Sequence, residues 1–147
     1  SIITQNIDGL HEMAHSKNVL NLHGTVYSNT CTKCHKKYDL KYVLESKEIP
    51  LCSCGGIIKP DVVLYEEPLD YETLDKAINE IKSAEALIIG GTSLLVYPAA
   101  SLINYFNGKH IILINKEETK SDYKADIVIH DKLGNVFEKI KDAITSL

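Results

Sequence analysis

Three groups of residues in this chain have the types and spacing to do chemistry. The first is Thr4-Gln5-Asn6-Ile7-Asp8-Gly9-Leu10-His11, followed by Leu22-His23-Gly24. A short apolar start, Ser1-Ile2-Ile3, runs into amides, a carboxylate and a turn-forming Asp-Gly pair. Polar side chains at the end of a strand are how open α/β sheets build ligand sites. His23, delivered by the apolar Val19-Leu20-Asn21-Leu22, has the side chain that accepts a proton near neutral pH. A lone histidine at a strand end is more often structural; the nearby Gln5, Asn6 and Asp8 make His23 the candidate base.

The second group is Cys31-Thr32-Lys33-Cys34 with Cys52-Ser53-Cys54, and the sequence has no other cysteines. Short Cys-x-x-Cys turns offer two sulfurs from one tight loop, and zinc favours four soft ligands in a tetrahedron. The second pair has one intervening residue rather than two, and Gly55-Gly56 after it lets the backbone wrap a metal. Four thiolates leave no open position, so such a metal is structural. Two disulfides are the alternative for a secreted protein. An ordinary α/β composition favours the metal and a cytoplasmic setting.

The third group is Gly90-Gly91-Thr92-Ser93-Leu94. Glycines let a backbone approach a ligand, and the Thr92 and Ser93 hydroxyls can bond a ribose or a phosphate. Glycine–serine turns after strands are common, so this signal alone is weak. Asn115 ends a later apolar run, where its amide serves either a turn or a ribose.

The elements that must position these residues follow from periodicity. A helical turn fits Leu10–Ala14, a hairpin-like segment Tyr27–Cys31, and a helix Lys41–Ser46 with Tyr42 and Val43 or Leu44 inward. Ile57–Glu66 is extended but carries Pro60, which marks an edge or irregular strand. Asp70–Ser83 places Leu74, Ala77, Ile78 and Ile81 at helical spacing. Ala86–Ile89 and Ile111–Ile114 are short apolar runs, expected as strands buried on both faces. Pro98 begins a helix through Phe106, Ile127–Ile129 is a strand, and Val136–Ile144 is a closing helix. Strand–helix alternation predicts an α/β fold, a partial Rossmann-like parallel sheet with an inserted small zinc-binding module. The expected divisions are 1–24 (start of the core), 25–60 (zinc module) and 61–147 (remainder of the core).

With 147 residues and a net charge of −4, the chain fits one domain with a small insertion and lacks the clustered cations of a general nucleic-acid binder. No apolar run is long enough for a membrane span.

TQNIDGLH, then LHG, then four cysteines, then GTSL resembles the sirtuin family, the NAD-dependent protein lysine deacylases, in order and across nearly the whole chain. The resemblance implies that His23 is the base acting on an NAD ribose hydroxyl. It implies that Asn6 and Asp8 line the nicotinamide pocket, with Asp8 receiving the carboxamide, and that Gln5 contacts the nicotinamide ribose. Gly91, Thr92 and Ser93 match the GTS that meets the cofactor, and Asn115 matches the asparagine of the adenosine ribose. Val62-Val63-Leu64-Tyr65 resembles the acyl-lysine strand, Val63 walling the lysine tunnel and the Val62 backbone meeting the acyl amide. That strand usually ends Phe-Gly-Glu in the family; Glu66 stands here in the glycine's place.

The implied activity is removal of acyl groups, acetyl first, from a protein or peptide lysine, yielding nicotinamide and O-acyl-ADP-ribose. The implied groups are NAD as co-substrate and a structural Zn2+ on the four cysteines. The family places a Gly-Ala-Gly phosphate loop and an Arg-containing loop before TQN, so an upstream first βαβ unit is expected outside this sequence. The alternatives are a zinc- and peptide-binding domain without catalysis, and a sirtuin-type ADP-ribosyltransferase or NAD glycohydrolase.

Overall fold

The apolar start forms β1 (Ile2–Thr4), which pairs in parallel with β2 (Val19–Asn21). In the computed structural model, which describes residues 1–146, this pair belongs to a first compact unit, Ser1–Lys76; a second begins at Ala77. Between β1 and β2 lies the single-turn helix α1 (Leu10–Met13). The Asn21 amide donates to the Glu12 carboxylate at 2.6 Å, tying α1 to β2.

β3 (Gly24–Cys31) is longer than the expected hairpin segment, because it pairs on both sides. β4 (Lys37–Asp39) and β5 (Ile58–Val62) flank it in an antiparallel sheet of order β4-β3-β5. β5 is thus an edge strand, as its proline requires. The β3–β5 register breaks between Thr25 and Asn29: Thr25 faces Asp61 and Asn29 faces Pro60, so Val26, Tyr27 and Ser28 bulge out. Pro60, which has no N–H to give to a ladder, sits at that break.

Asp61 holds the bulge. Its carboxylate accepts from Ser28 Oγ and Thr30 Oγ1, each at 2.5 Å, and from Lys37 Nζ at 2.8 Å. One side chain on β5 therefore engages β3 at the last bulged residue, Ser28, and just past the bulge at Thr30, and reaches β4 beyond it. Gly24 is the other fixed point. Its φ of +75° lies in the left-handed region, and a Cβ there would come 1.9 Å from the Asp61 carbonyl oxygen, so only glycine fits.

α2 (Leu40–Glu45) is capped by Asp39, whose carboxylate accepts from the Tyr42 N–H at 2.9 Å. Val43 packs against the Cys31, Cys52 and Ile58 cluster, whereas Leu44 is exposed. Tyr42 also reaches the surface, its ring leaning on Tyr38 and its hydroxyl bonded to the Leu51 carbonyl. Of the expected inward pair, Tyr42 with Val43 or Leu44, Val43 is the one in the core cluster.

α3 (Tyr71–Ser83) begins with the Asp70 carboxylate accepting from the Thr73 N–H and hydroxyl. Ala77 and Ile81 are its buried positions. The second unit carries a parallel sheet of order β6-β7-β8, formed by Ala86–Gly90, His110–Ile114 and Ile127–Ile129. Burial on both faces, expected for the first two, is not seen for β6: Ala86 and Ile88 are exposed while Leu87 and Ile89 are half-buried. An edge strand with one open face reads as alternation despite an unbroken apolar sequence. The central strand β7 carries the fully buried Leu113 and Ile114.

The segment after Pro98 is a 3-10 helix, Ala99–Tyr105, whose Ala99, Ala100, Leu102 and Ile103 are buried. The last helix, α4 (Leu133–Thr145), starts three residues earlier than expected and takes Gly134 into its first turn. Its Leu133 side chain lies against Gly90.

The three partners hold the Asp61 carboxyl below its ordinary pKa against the opposing effect of burial, with Lys37 the first of them. A carboxyl lowered by folding adds stability that is complete above the unfolded range near about pH 4 and is lost as pH falls through the lower folded value. Asp61→Asn should cost about 2 kcal/mol at neutral pH. It should also flatten the acid side of the stability profile, read from urea midpoints between neutral and acidic pH.

Candidate active site and metal centre

The loop after β1 is built by short-range bonds. The Thr4 hydroxyl accepts from the Asn6 N–H at 3.0 Å, and Asp8 Oδ1 accepts from the Leu10 N–H at 3.1 Å, starting α1. The Ile7 carbonyl accepts from the Val26 N–H. Tyr27 covers Gly9, where a Cβ would meet the ring at 2.6 Å. The bulge fixed by Asp61 thus grips the loop that carries Asn6 and Asp8, both exposed.

His23 is half-buried, and its Nδ1 lies 3.0 Å from the Gln5 carbonyl oxygen. A carbonyl only accepts, so Nδ1 carries the hydrogen and the neutral ring keeps its lone pair on Nε2. The main chain of His23 is occupied as well: its carbonyl accepts from the Val63 N–H at 2.9 Å. The same residue therefore presents a basic nitrogen and anchors the strand end beside it.

That strand end closes in a turn in which Glu67 N–H donates to the Leu64 carbonyl at 3.1 Å. Glu66 occupies its third position with φ +71°, the conformation that favours glycine. Glu67 locks the turn, its Oε2 accepting from the Leu64 N–H and from Lys59 Nζ, each at 3.0 Å. Lys59 Nζ also donates to the Val62 carbonyl at 2.9 Å. Val62 and Val63 are half-buried, and Leu64 and Tyr65 are exposed, Tyr65 almost completely at 99%.

The four cysteine sulfurs lie within 4.8 Å of one another. Cys31 to Cys54 is 3.6 Å and Cys34 to Cys52 is 3.5 Å. Bonds of about 2.3 Å to a tetrahedral zinc put sulfurs about 3.8 Å apart, so the four fit that ion. Cys31 and Cys52 are buried, Cys34 and Cys54 exposed. Gly56 allows this approach, since a Cβ there would strike Cys31 Sγ at 2.6 Å.

Without metal, the Cys54 N–H and then the Tyr38 hydroxyl lower Cys52 to about 5. The Cys34 and Lys33 N–H groups lower Cys31. On Cys34 the Lys36 N–H favours the thiolate, but the sulfurs of Cys54, Cys52 and Cys31 outweigh it and push the thiol up to about 12. A cluster so divided holds a proton that a dication displaces.

A Sir2 family model matches residues 1–98. The chain belongs to the Sir2 family. It is 61% identical over 144 residues to an NAD-dependent protein deacetylase of Clostridium perfringens, covering 97% of this chain and 59% of that protein. A second NAD-dependent protein deacetylase, from Clostridium tetani, is 53% identical over 98% of this chain and 59% of its own length. The chain therefore spans 59% of the length of these two curated relatives.

Among solved Sir2 structures, one with a p53 peptide and NAD+ superposes with a TM-score of 0.92 at 35% identity, covering all of this chain and 64% of that one. Another, bound to a myristoylated histone peptide, gives 0.88 at 44% identity, covering 95% and 62%. Membership confirms the Rossmann-like α/β class with its inserted four-cysteine module. It fits zinc to the cysteine cluster and NAD to the family's chemistry.

In the second unit Gly91, Thr92 and Ser93, the expected cofactor turn, follow β6. Gly91 has φ +62° with open space where a side chain would stand, and its N–H donates to the Ile114 carbonyl. Thr92 Oγ1 accepts from the Leu94 N–H at 3.2 Å, and Ser93 is exposed. Gly91 thus leaves room for a ligand to approach the backbone. Asn115 donates from Nδ2 to the Glu117 carbonyl at 2.8 Å and from its N–H to Ile129, shaping the turn after β7. Of the remaining histidines, His130 has an acidic partner, Asp122, at 3.3 Å.

Four site-building residues were missed from sequence: Asp61, Lys59 and Glu67, which pair, and Tyr38, whose hydroxyl reaches Cys52 Sγ at 3.0 Å. Asp61 and Lys59 had a signal, polar side chains flanking a proline inside an apolar strand. Tyr38, one strand beyond the first cysteine pair, had none.

Two outcomes are expected. Zinc binding at neutral pH should release protons, so its calorimetric enthalpy should vary linearly with buffer ionisation enthalpy. Glu66→Gly should raise stability by about 1 kcal/mol by removing the left-handed strain, seen as a higher urea midpoint at unchanged slope.

Proposed function

We propose that this chain carries the catalytic residues of an NAD-dependent protein lysine deacylase, acting on acetyl-lysine or longer acyl-lysine in a peptide or protein. The observation that carries this reading is the double use of His23. Its Nδ1 is committed to Gln5, which leaves Nε2 to take a proton, while its carbonyl holds Val63 of the substrate strand. The base and the strand that would present the acyl-lysine are thus joined through one residue.

NAD supplies the ribose whose bond to nicotinamide is broken and whose hydroxyl receives the acyl group. With NAD bound, His23 would take the hydroxyl proton, and Asn6 and Asp8 would line the nicotinamide pocket, the Asp8 carboxylate receiving the nicotinamide carboxamide. Gln5 would contact the adjoining ribose; in the second unit, the family resemblance makes Gly91, Thr92 and Ser93 cofactor-binding residues and Asn115 the residue for the adenosine ribose. Val62, Val63, Leu64 and Tyr65 line the path of the acyl-lysine segment, which adds to the edge as a further strand. Cys31, Cys34, Cys52 and Cys54 hold the structural zinc and do no chemistry on the substrate. In this reading residues 1–24 begin the catalytic core, 25–60 form the zinc module and 61–147 complete the core.

The relatives that carry this activity are longer than the chain, so the proposal concerns the protein to which these residues belong. A cytoplasmic enzyme fits it, and among the described residues no helix is long and apolar enough to cross a membrane. A zinc-dependent peptide-binding domain is the second reading. It is favoured by the zinc module and by the exposed Leu64 and Tyr65, which need no NAD.

The test is nicotinamide release from NAD with and without an acetyl-lysine peptide. Peptide-dependent release with loss of the acetyl group supports the deacylase, and release without peptide a glycohydrolase. Peptide binding without release supports the binding domain. For the deacylase, His23→Ala should lower deacylation by at least about a hundredfold while zinc content stays at one per chain; an unchanged rate removes His23 from the mechanism.

A further inference from the structure

The four zinc-binding sulfurs have unequal surroundings. Cys31 Sγ receives the Lys33 and Cys34 N–H groups at 3.4 and 3.5 Å, the usual way a knuckle steadies its first thiolate. Cys52 Sγ faces a side chain, the Tyr38 hydroxyl at 3.0 Å, the shortest hydroxyl or N–H contact to any of the four among the described residues.

Tyr38 is built to stay there. Its backbone is paired with Asn29 across β3 and β4. Its ring packs on the Cys31, Cys52 and Ile58 core, lies 4.6 Å from the Tyr42 ring centroid, and has Lys36 Nζ 5.3 Å from its own centroid. Cys34 and Cys54 are exposed, so solvent reaches the centre from their side.

We propose that Tyr38 is the positioning residue of the zinc centre. Its hydroxyl donates to the Cys52 thiolate, fixes that sulfur in the coordination sphere and withdraws charge from it, so that Cys52 is the ligand the metal keeps longest. Partners in the shell outside the ligands orient them and set how tightly metal is held. A donated hydrogen bond also lowers the electron density on the sulfur. Zinc loss then starts at Cys34 and Cys54, and Tyr38 decides whether that partial opening proceeds to release or closes again.

The test is the rate of zinc transfer from the zinc-loaded chain to a chromogenic chelator. Tyr38→Phe, which keeps the ring and its stacking, should transfer zinc about tenfold faster. Tyr42→Phe, which removes the other phenol of the stack but one bonded to the Leu51 carbonyl, should transfer at the wild-type rate. The cobalt-substituted Tyr38→Phe protein should show its sulfur-to-cobalt charge-transfer band at longer wavelength, which a purely structural role would not move.

An unchanged release rate in Tyr38→Phe overturns the proposal, as does equal acceleration in both variants or an unshifted cobalt band. Should Tyr38→Phe fail to fold, the wild-type chain loaded with 113Cd decides. Scalar coupling between cadmium and the Tyr38 hydroxyl proton supports the hydrogen bond, and its absence overturns it.

Discussion

The Asp61 carboxylate is the interaction on which the first unit depends. From an edge strand it engages Ser28 within the bulge and Thr30 just beyond it, and Lys37 one strand farther. Three donors on a partly buried carboxylate compensate its loss of water, and bonds to a charged group are worth more than neutral ones. The bulge that they hold supplies the Val26 N–H to Ile7 and the Tyr27 ring to Gly9. A single charge just past the zinc module thereby shapes the loop of Asn6 and Asp8. The zinc centre supports the same sheet from its other end, where Cys31 and Ile58 face each other across β3 and β5.

Much of this is legible in the sequence, for a physical reason. Metal ligands announce themselves by residue type and spacing, so the cysteine centre needed no knowledge of the sheet around it. Strand-end polar clusters likewise follow from where an apolar run stops. The element order of the second unit came through the alternation of apolar runs with helical spacing.

What stayed hidden depends on neighbours distant in sequence. An unbroken apolar run such as Ala86–Ile89 cannot say how many of its faces are covered, and β6 has one open. The difference between an α-helix and the 3-10 helix at Ala99–Tyr105 lies in a few hydrogen bonds, not in composition. Tyr38, Asp61 and the Lys59–Glu67 pair act through bonds across strands, where no periodicity points. Glu66 illustrates the converse: the glycine expected there reported a left-handed backbone, and the glutamate adopts that backbone regardless.

The contact between Gly24 and the Asp61 carbonyl has a consequence for anyone who would re-engineer this protein. Because no side chain fits between those two backbones, the path of β5 beside His23 cannot be changed by substitution at Gly24. In the proposed deacylase, room for a larger acyl group would then come from the Leu64–Glu67 turn. Directed evolution toward new substrates should therefore draw its libraries from that turn and keep the histidine–glycine pair constant.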